Sequence, residues 1–372
     1  MAKTPSGKSR KPRKPTRSGK PAAAAKAAVA VAGPVTLAEA QALARAKQPA
    51  LALRAAKSKV AEPTSPAPVA IERKERDKRA KDELDRRIRD YKATMTIMKK
   101  RGALPPGTKA GQKRMAAAPA AAAFVPLQVV AEGDSWFDYP IPLFGGGIIK
   151  RLQPKLGVPI LDLSDAGDEV RFMLGVEQRI LLAKHLADGC PAGGPWDVLL
   201  FSGGGNDIVD NPMALWIRDW NPASPAKALI NQPRFDSAKA LVRAGYEDLI
   251  ALRDSLSPNT HLVFNCYDFA IPDGRGVCGF GPWLKPTFDL RKFPPAIAPR
   301  QAVVKEMLLQ FAAMLESLVT PTNKVTVIKS QGTLPASTSA WHNELHPSRT
   351  GFQKFADIFH QKLKALFPNR VA

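Results

Sequence analysis

From residue 124 onward the apolar positions fall into two alternating patterns. Short runs rich in Val, Leu, Ile and Phe at 124–131, 158–163, 198–202, 261–267 and 325–329 predict buried β-strands. Between them lie helix-length segments at 169–186, 237–255 and 302–319, with a last helix from Ser348 to Phe367. In that last segment Phe352, Phe355, Phe359, Leu363 and Leu366 recur on one helical face. Strands alternating with helices predict an α/β domain built on a parallel sheet covered on both faces. No fixed-period repeat runs through the chain.

Upstream of residue 124 the pattern is different. Residues 1–35 are mostly Lys, Pro, Ser and Ala without a hydrophobic period, and disorder is expected there. Thr36-Leu37-Ala38-Glu39 has capping-box spacing and predicts the start of an alanine-rich helix that ends by Pro49. Residues 71–101 read as a charged amphipathic helix. Glu75–Arg79, Asp77–Lys81, Asp82–Arg86, Glu83–Arg87 and Asp85–Arg89 place acid before base four residues apart, the favourable order on a helix. Leu84, Ile88, Tyr91, Met95 and Met98 form a seam spaced 4, 3, 4, 3. Such a seam marks a buried face without naming its partner, so self-association through 77–98 and docking on the downstream domain both stand. Residues 102–123, with Pro105-Pro106 and an alanine-rich end, read as a linker. The expected organisation is a basic tail at 1–70, the helix at 71–101, the linker, and one domain at 124–372.

Charge sharpens this division. Residues 1–122 carry 30 Lys+Arg against 9 Asp+Glu, while residues 123–372 carry 25 against 24. The net charge of +22 therefore belongs almost wholly to the first third, which has no aromatic residue before Tyr91. A flexible basic segment of this kind binds phosphates through counterion release, so nucleic acid or another polyanion is the expected partner of residues 1–70. Cys190, Cys266 and Cys278 are too few for a disulfide framework; buried thiols are expected, with one Cys266–Cys278 bridge as the alternative. No apolar run reaches the length of a membrane span. The basic start lacks an apolar signal-peptide core, since Lys26 interrupts its alanines, and a cytoplasmic location is favoured.

The residues suited to chemistry lie in the loops after the first three predicted strands. They are Gly133-Asp134-Ser135, Ser164-Asp165-Ala166-Gly167-Asp168 and Gly203-Gly204-Gly205-Asn206-Asp207. If the strands are parallel neighbours, all three emerge on one sheet edge, where open α/β sheets bind ligands. Trp341-His342-Asn343-Glu344-Leu345-His346-Pro347 precedes the last helix and can return to the same edge. A serine at a strand end also caps helices, and Gly-rich Asn-Asp loops also form plain turns. Together, though, these residues make a set for acyl transfer. Ser135 needs a base within hydrogen-bond reach, which His346 can supply. A tetrahedral oxyanion needs fixed donors, available from the N–H of Ser135 and Gly167 and the amide of Asn206. Asp134, Trp136 and Tyr139 flank the serine as substrate-pocket candidates. His342 and His346 are four apart but lack the zincin glutamate placement, and Pro347 follows at once. No metal and no cofactor are expected.

In this order the four blocks resemble the SGNH/GDSL hydrolase family. Gly133-Asp134-Ser135 matches its first block, Ala166-Gly167-Asp168 its weakly defined second, Gly204-Gly205-Asn206-Asp207 its third and His346-Pro347 its last. The resemblance covers about residues 124–372. It implies a three-layer α/β/α fold with a flavodoxin-like parallel sheet, and ester hydrolysis through an acyl-enzyme. Ser135 would be the nucleophile, His346 the base, and Gly167 and Asn206 oxyanion donors. The Gly-x-Ser-x-Gly elbow of the α/β-hydrolases is absent. One position departs from the pattern: the family usually has aspartate three residues before the histidine, and Asn343 stands there. Asn343 itself, Glu344 turned toward His346, or a backbone carbonyl would then orient the ring. An esterase acting on an acyl or acetyl ester, small or polymer-borne, is the expected function. The alternative is a polyanion-binding or scaffold protein with a silent domain of this fold.

Overall fold

A computed structural model describes residues 33–47, 69–104, 106, 125–139, 146–277 and 279–371. The expectations for residues 1–32, for most of the linker and for Cys278 fall outside them. Five strands form one parallel sheet in the order β2-β1-β3-β4-β5. They are β1 (Val129–Gly133), β2 (Ile160–Asp162), β3 (Val198–Ser202), β4 (His261–Asn265) and β5 (Val325–Ile328). This is the flavodoxin-like order, whose ligand crevice opens at the carboxyl ends of β1 and β3. Val129 pairs with Ile160 on one side and Val198 on the other, and Gly133 pairs with Ser202.

The first strand starts later than its apolar run predicts. Pro126 has no N–H for a ladder, so pairing begins at Val129 and continues through Gly133. A Cβ on Gly133 would lie 2.8 Å from the Ser202 carbonyl oxygen. Only glycine lets the two strand ends approach this closely.

The helices are α1 (Leu37–Lys47), α2 (Val69–Arg101), α3 (Ile148–Leu156), α4 (Val170–Met173) and α5 (Val176–Asp188). They continue with α6 (Gly205–Ile208), α7 (Gln232–Leu256), α8 (Lys285–Leu290), α9 (Ile297–Glu316) and α10 (Arg349–Leu366). Because β–α–β crossovers are right-handed, stepping from β1 outward to β2 and then back past β1 to β3 places α3 on the opposite face from α5, α7 and α9. The contacts agree: α3 packs on α10, and α7 packs on α4, α5 and α9. The result is three layers, with Val129, Val130, Leu199, Leu200, Val263 and Phe264 fully buried in the sheet. In α10, Phe352, Phe355, Phe359 and Leu363 face this core as their spacing predicts.

Two helices escaped the pattern. The segment that became α3 carries Pro154 and follows three glycines, while α8 is only one and a half turns long. The single helix predicted at 169–186 is broken into α4 and α5, with Gly175 as the N-cap of α5.

Thr36 and Glu39 close the predicted capping box: Glu39 accepts the Thr36 N–H at 2.9 Å, and Thr36 Oγ1 accepts the Glu39 N–H at 3.3 Å. The seam of α2 is turned onto the α/β layers. Tyr91, Met95 and Met98 are buried, the Tyr91 ring lies 5.6 Å from Trp196, and its hydroxyl meets Cys190 Sγ at 3.4 Å. The described residues from Pro34 onward form one compact unit. Because β2 is a sheet edge, α2 packed beside it covers an otherwise open strand. Cys190 and Cys266 are buried free thiols. No described helix is long and apolar enough to cross a membrane.

Candidate active site

The carboxyl ends of β1 and β3 and the turn before α10 bring the chemistry-bearing residues together. Ser135 follows β1 at once, and the turn that holds it is built on Asp134. The Asp134 carboxylate is buried and accepts hydrogen bonds from the Trp136 N–H (3.0 Å), the Ser202 hydroxyl (3.0 Å) and the Tyr267 hydroxyl (2.5 Å). Asn265 donates in turn to Ser202 Oγ at 3.1 Å. Burial lifts the Asp134 pKa to about 6 against the pull of these donors. Asp134 is therefore the clamp of the Ser135 turn, and it also lines the pocket beside it.

Ser135 Oγ lies 2.6 Å from His346 Nε2. These residues are 211 positions apart in sequence. The imidazole is buried, stacked on the Tyr139 ring at 4.4 Å and met edge-on by Trp283 at 5.8 Å. Burial, followed by the neighbouring His342, lowers its pKa to about 3. Among the described residues no anion offsets that burial. His346 Nδ1 faces Asn343 Oδ1 at 3.0 Å.

Glu344, the other candidate for orienting the ring, points elsewhere. Its fully buried carboxylate accepts four backbone N–H groups, from Gly274 (2.9 Å), Trp283 (2.6 Å), Leu284 (2.7 Å) and Lys285 (2.9 Å). Burial pushes its pKa up while those donors pull it back. Glu344 thus fastens the segment that leads into α8. The backbone-carbonyl alternative also gives way, because the side-chain oxygen of Asn343 occupies that place.

Gly167 sits after β2 with φ +94° and open space where a Cβ would stand. Among the described residues, neither its N–H nor that of Ser135 has an acceptor. The Asn206 side-chain nitrogen donates one hydrogen to the Asp168 carbonyl at 2.8 Å, leaving its second for another acceptor. Ser135, Asn206 and His346 line one pocket with Asp134 and Trp136. Gly167 and Tyr139 are not part of its wall. Trp136 is mostly core, ringed by Tyr267, Trp341, Phe352 and Phe355. Tyr139 belongs with the histidine instead of the substrate pocket.

The rest of the pocket wall is mostly apolar, with Ile208, Val209, Met213, Leu284, Val304, Met307 and Leu308, but Tyr267 and the buried Asp268 also belong to it. Sequence reasoning missed these residues. They come from the segments after β3 and β4, from the N-cap of α8 and from α9, and the apolar ones look like ordinary core.

No protein-family model matches the chain, and no curated protein does. Solved structures with a similar chain path exist. A lipase, Lip_vut3, from a goat rumen metagenome aligns over 63% of this chain and 96% of its own, at 14% identity and TM-score 0.43. An extracellular lipase from Streptomyces rimosus aligns over 63% and 99%, at 15% identity and TM-score 0.38. A protein from Slackia heliotrinireducens assigned to the SGNH hydrolases aligns over 64% and 100%, at 13% identity and TM-score 0.37. At these scores the likeness carries no weight for chemistry, which rests on the geometry of the site.

Arg87 of α2 reaches the same loops from outside. It donates to the Asp138 carboxylate at 2.6 Å and to the Ser164 carbonyl at 3.0 Å. The helix read from its charge pattern thus ties the Ser135 loop to the loop after β2.

Proposed function

We propose that this chain is a serine ester hydrolase of the SGNH type, working through an acyl-enzyme. The observation that carries the reading is the 2.6 Å approach of Ser135 Oγ to a bare, buried His346 Nε2 whose other nitrogen is held by Asn343. Ser135 attacks the acyl carbon while its proton passes to His346. The N–H groups of Ser135 and Gly167 and the free hydrogen of Asn206 face the oxyanion. His346 then gives its proton to the departing alcohol, and water repeats the sequence to release the acid.

The pocket suggests the acyl group. Its free space is about 40 Å³ and most of its lining side chains are apolar, with Asp268 among the rest, which suits a short apolar acyl chain and disfavours an anionic one. The test is labelling of the full chain by a serine-directed fluorophosphonate, followed by hydrolysis of p-nitrophenyl esters of rising chain length. Labelling of Ser135 with turnover greatest for short acyl groups is the expected result. A folded protein that takes no label would overturn the reading.

A second reading concerns a different part of the chain. The excess of 30 basic over 9 acidic residues in 1–122 favours attachment to a polyanion. Binding of a DNA duplex that weakens steeply with salt, and is lost on deleting residues 1–70, is expected. Binding indifferent to salt would exclude it.

A further inference from the structure

Asn343 has lost the charge of an acid, but the surrounding bonds leave its amide one orientation. Its Oδ1 accepts the backbone N–H of Leu345 at 2.9 Å and of His346 at 2.8 Å. A backbone N–H can only donate, so the atom facing both must be the oxygen. The same oxygen lies 3.0 Å from His346 Nδ1, and that nitrogen must therefore carry the proton. His346 Nε2 is then bare and accepts the Ser135 hydroxyl at 2.6 Å.

The reasoning extends outward. With its oxygen committed, Asn343 turns its NH2 toward the Tyr139 hydroxyl, 3.1 Å away. The Tyr139 oxygen accepts that hydrogen, and His342 Nδ1 stands 2.7 Å from it. Ser135 thus donates to His346, His346 to Asn343, and Asn343 to Tyr139. These three bonds run in one direction, and a His342 that is bare at Nδ1 lets Tyr139 continue them by a fourth. Hydrogen bonds aligned in this way polarise one another, most strongly where water is excluded, and Ser135, Asn343, Tyr139 and His346 are all buried.

We propose that Tyr139 and His342 are positioning residues for His346, completing a directed chain of neutral hydrogen bonds that holds the imidazole in its reactive tautomer where a carboxylate is missing. The proposal rests on the hydrolase reading for its kinetic consequence alone. When the Ser135 proton reaches Nε2, the imidazolium charge is met by the polarised Asn343 oxygen instead of an anion. Tyr139 also fixes the ring plane, since it stacks on His346 at 28°.

The test uses the full chain, with ring-nitrogen NMR of its five histidines beside kinetics on a short aryl ester. Tyr139→Phe keeps the stacked ring and removes only the hydroxyl. It is expected to lower kcat roughly 5- to 10-fold, the kinetic size of one neutral hydrogen bond, with KM within about twofold. The His342 Nδ1 signal should lose its hydrogen-bond shift, and His346 should move from one tautomer toward a mixture. His342→Leu should reproduce the kinetic loss, while His342→Asn, which keeps an acceptor near the Nδ1 position, should restore it. In an Asn343→Asp background the Tyr139→Phe cost should shrink below about twofold, because a carboxylate accepts from the ring in either orientation. His342 is only half-buried, so its variants carry the test if Tyr139→Phe does not fold. Ring signals and kcat unchanged in Tyr139→Phe, or His342→Leu and His342→Asn behaving alike, would overturn the proposal. Ring signals behaving as expected in a chain that hydrolyses nothing would leave the directed chain standing and remove the hydrolase reading.

Discussion

Two loops meet at the reacting pair, and each contains a buried carboxylate that never touches the imidazole. In the nucleophile loop, Asp134 gathers Trp136, Ser202 and Tyr267. In the histidine loop, Glu344 gathers four backbone N–H groups from the segment entering α8. Both anions do architectural work, fixing where the backbone turns. The base between them is supported only by neutral groups, and its pKa sits near 3. The contrast shows that a buried acid one or two residues from a catalytic group says little about which group it serves. What decides is which donors converge on it.

The largest break in this arrangement is at Ser135, the proposed nucleophile. Ser135→Ala should abolish fluorophosphonate labelling and cut ester hydrolysis at least ~10³-fold, with the unfolding midpoint in urea unchanged.

The contrast between the carboxylates is next. Glu344→Ala strands four buried N–H groups and should cost about 4 kcal/mol in urea unfolding, since each stranded donor carries a desolvation penalty. Its effect on activity should follow the loss of folded protein. Asp134→Asn keeps one acceptor oxygen but turns an amide toward donors, and should lower kcat with less loss of stability than Glu344→Ala.

Asn343→Asp should sharpen the comparison by giving the histidine loop the anion it lacks. An adjacent carboxylate stabilises the imidazolium, so the His346 pKa should rise and kcat should increase about tenfold. A ring titration followed by NMR checks the first, and initial rates the second.

The pH dependence follows with definite signs. In the proposed mechanism neutral His346 is the base, and its pKa is depressed from 6.5 to about 3. On its account kcat/KM should hold level from pH 8 down past 6.5. An inflection near 6 would belong to Asp134, whose pKa is raised from 3.8 to about 6, and should vanish in Asp134→Asn. Stability responds oppositely to the two groups. Between pH 6.5 and 3 the unfolded chain takes up the His346 proton first, so that contribution is lost on acidification. Between about 6 and 3.8 the folded chain takes up the Asp134 proton first, so that contribution grows.

The smallest effect expected is at Arg87, whose ion pair with Asp138 is partly exposed on both sides, 26% and 28%. Arg87→Ala should cost about 1 kcal/mol and loosen both loops it bridges, read as faster backbone amide exchange at 138 and 164.

Much of this molecule is legible along the chain. The cores of β3, β4 and β5 coincide with apolar runs, and the phenylalanines of α10 mark its buried face, because local periodicity follows the environment each element enters. The loop order, with Ser135, Gly167 and Asn206 after successive strands, follows from the parallel alternation of strands and helices. The capping box at Thr36 is equally local, since its partners are three residues apart.

What the chain alone leaves open is which groups converge from far away. The seam of α2 marks a buried face, but only the folded chain shows Tyr91 against Trp196 and Cys190. Glu344 stands two residues from His346, yet its donors lie 59 to 70 residues away and draw it off the ring. Asn343 reads as a lost acid in sequence. Its orientation is set jointly by two neighbouring N–H groups and by Tyr139, 204 residues away. Sequence patterns report whether a side chain is buried; hydrogen bonds are directional and short, so which donor meets which acceptor was decided only when the loops were brought within 3 Å of one another.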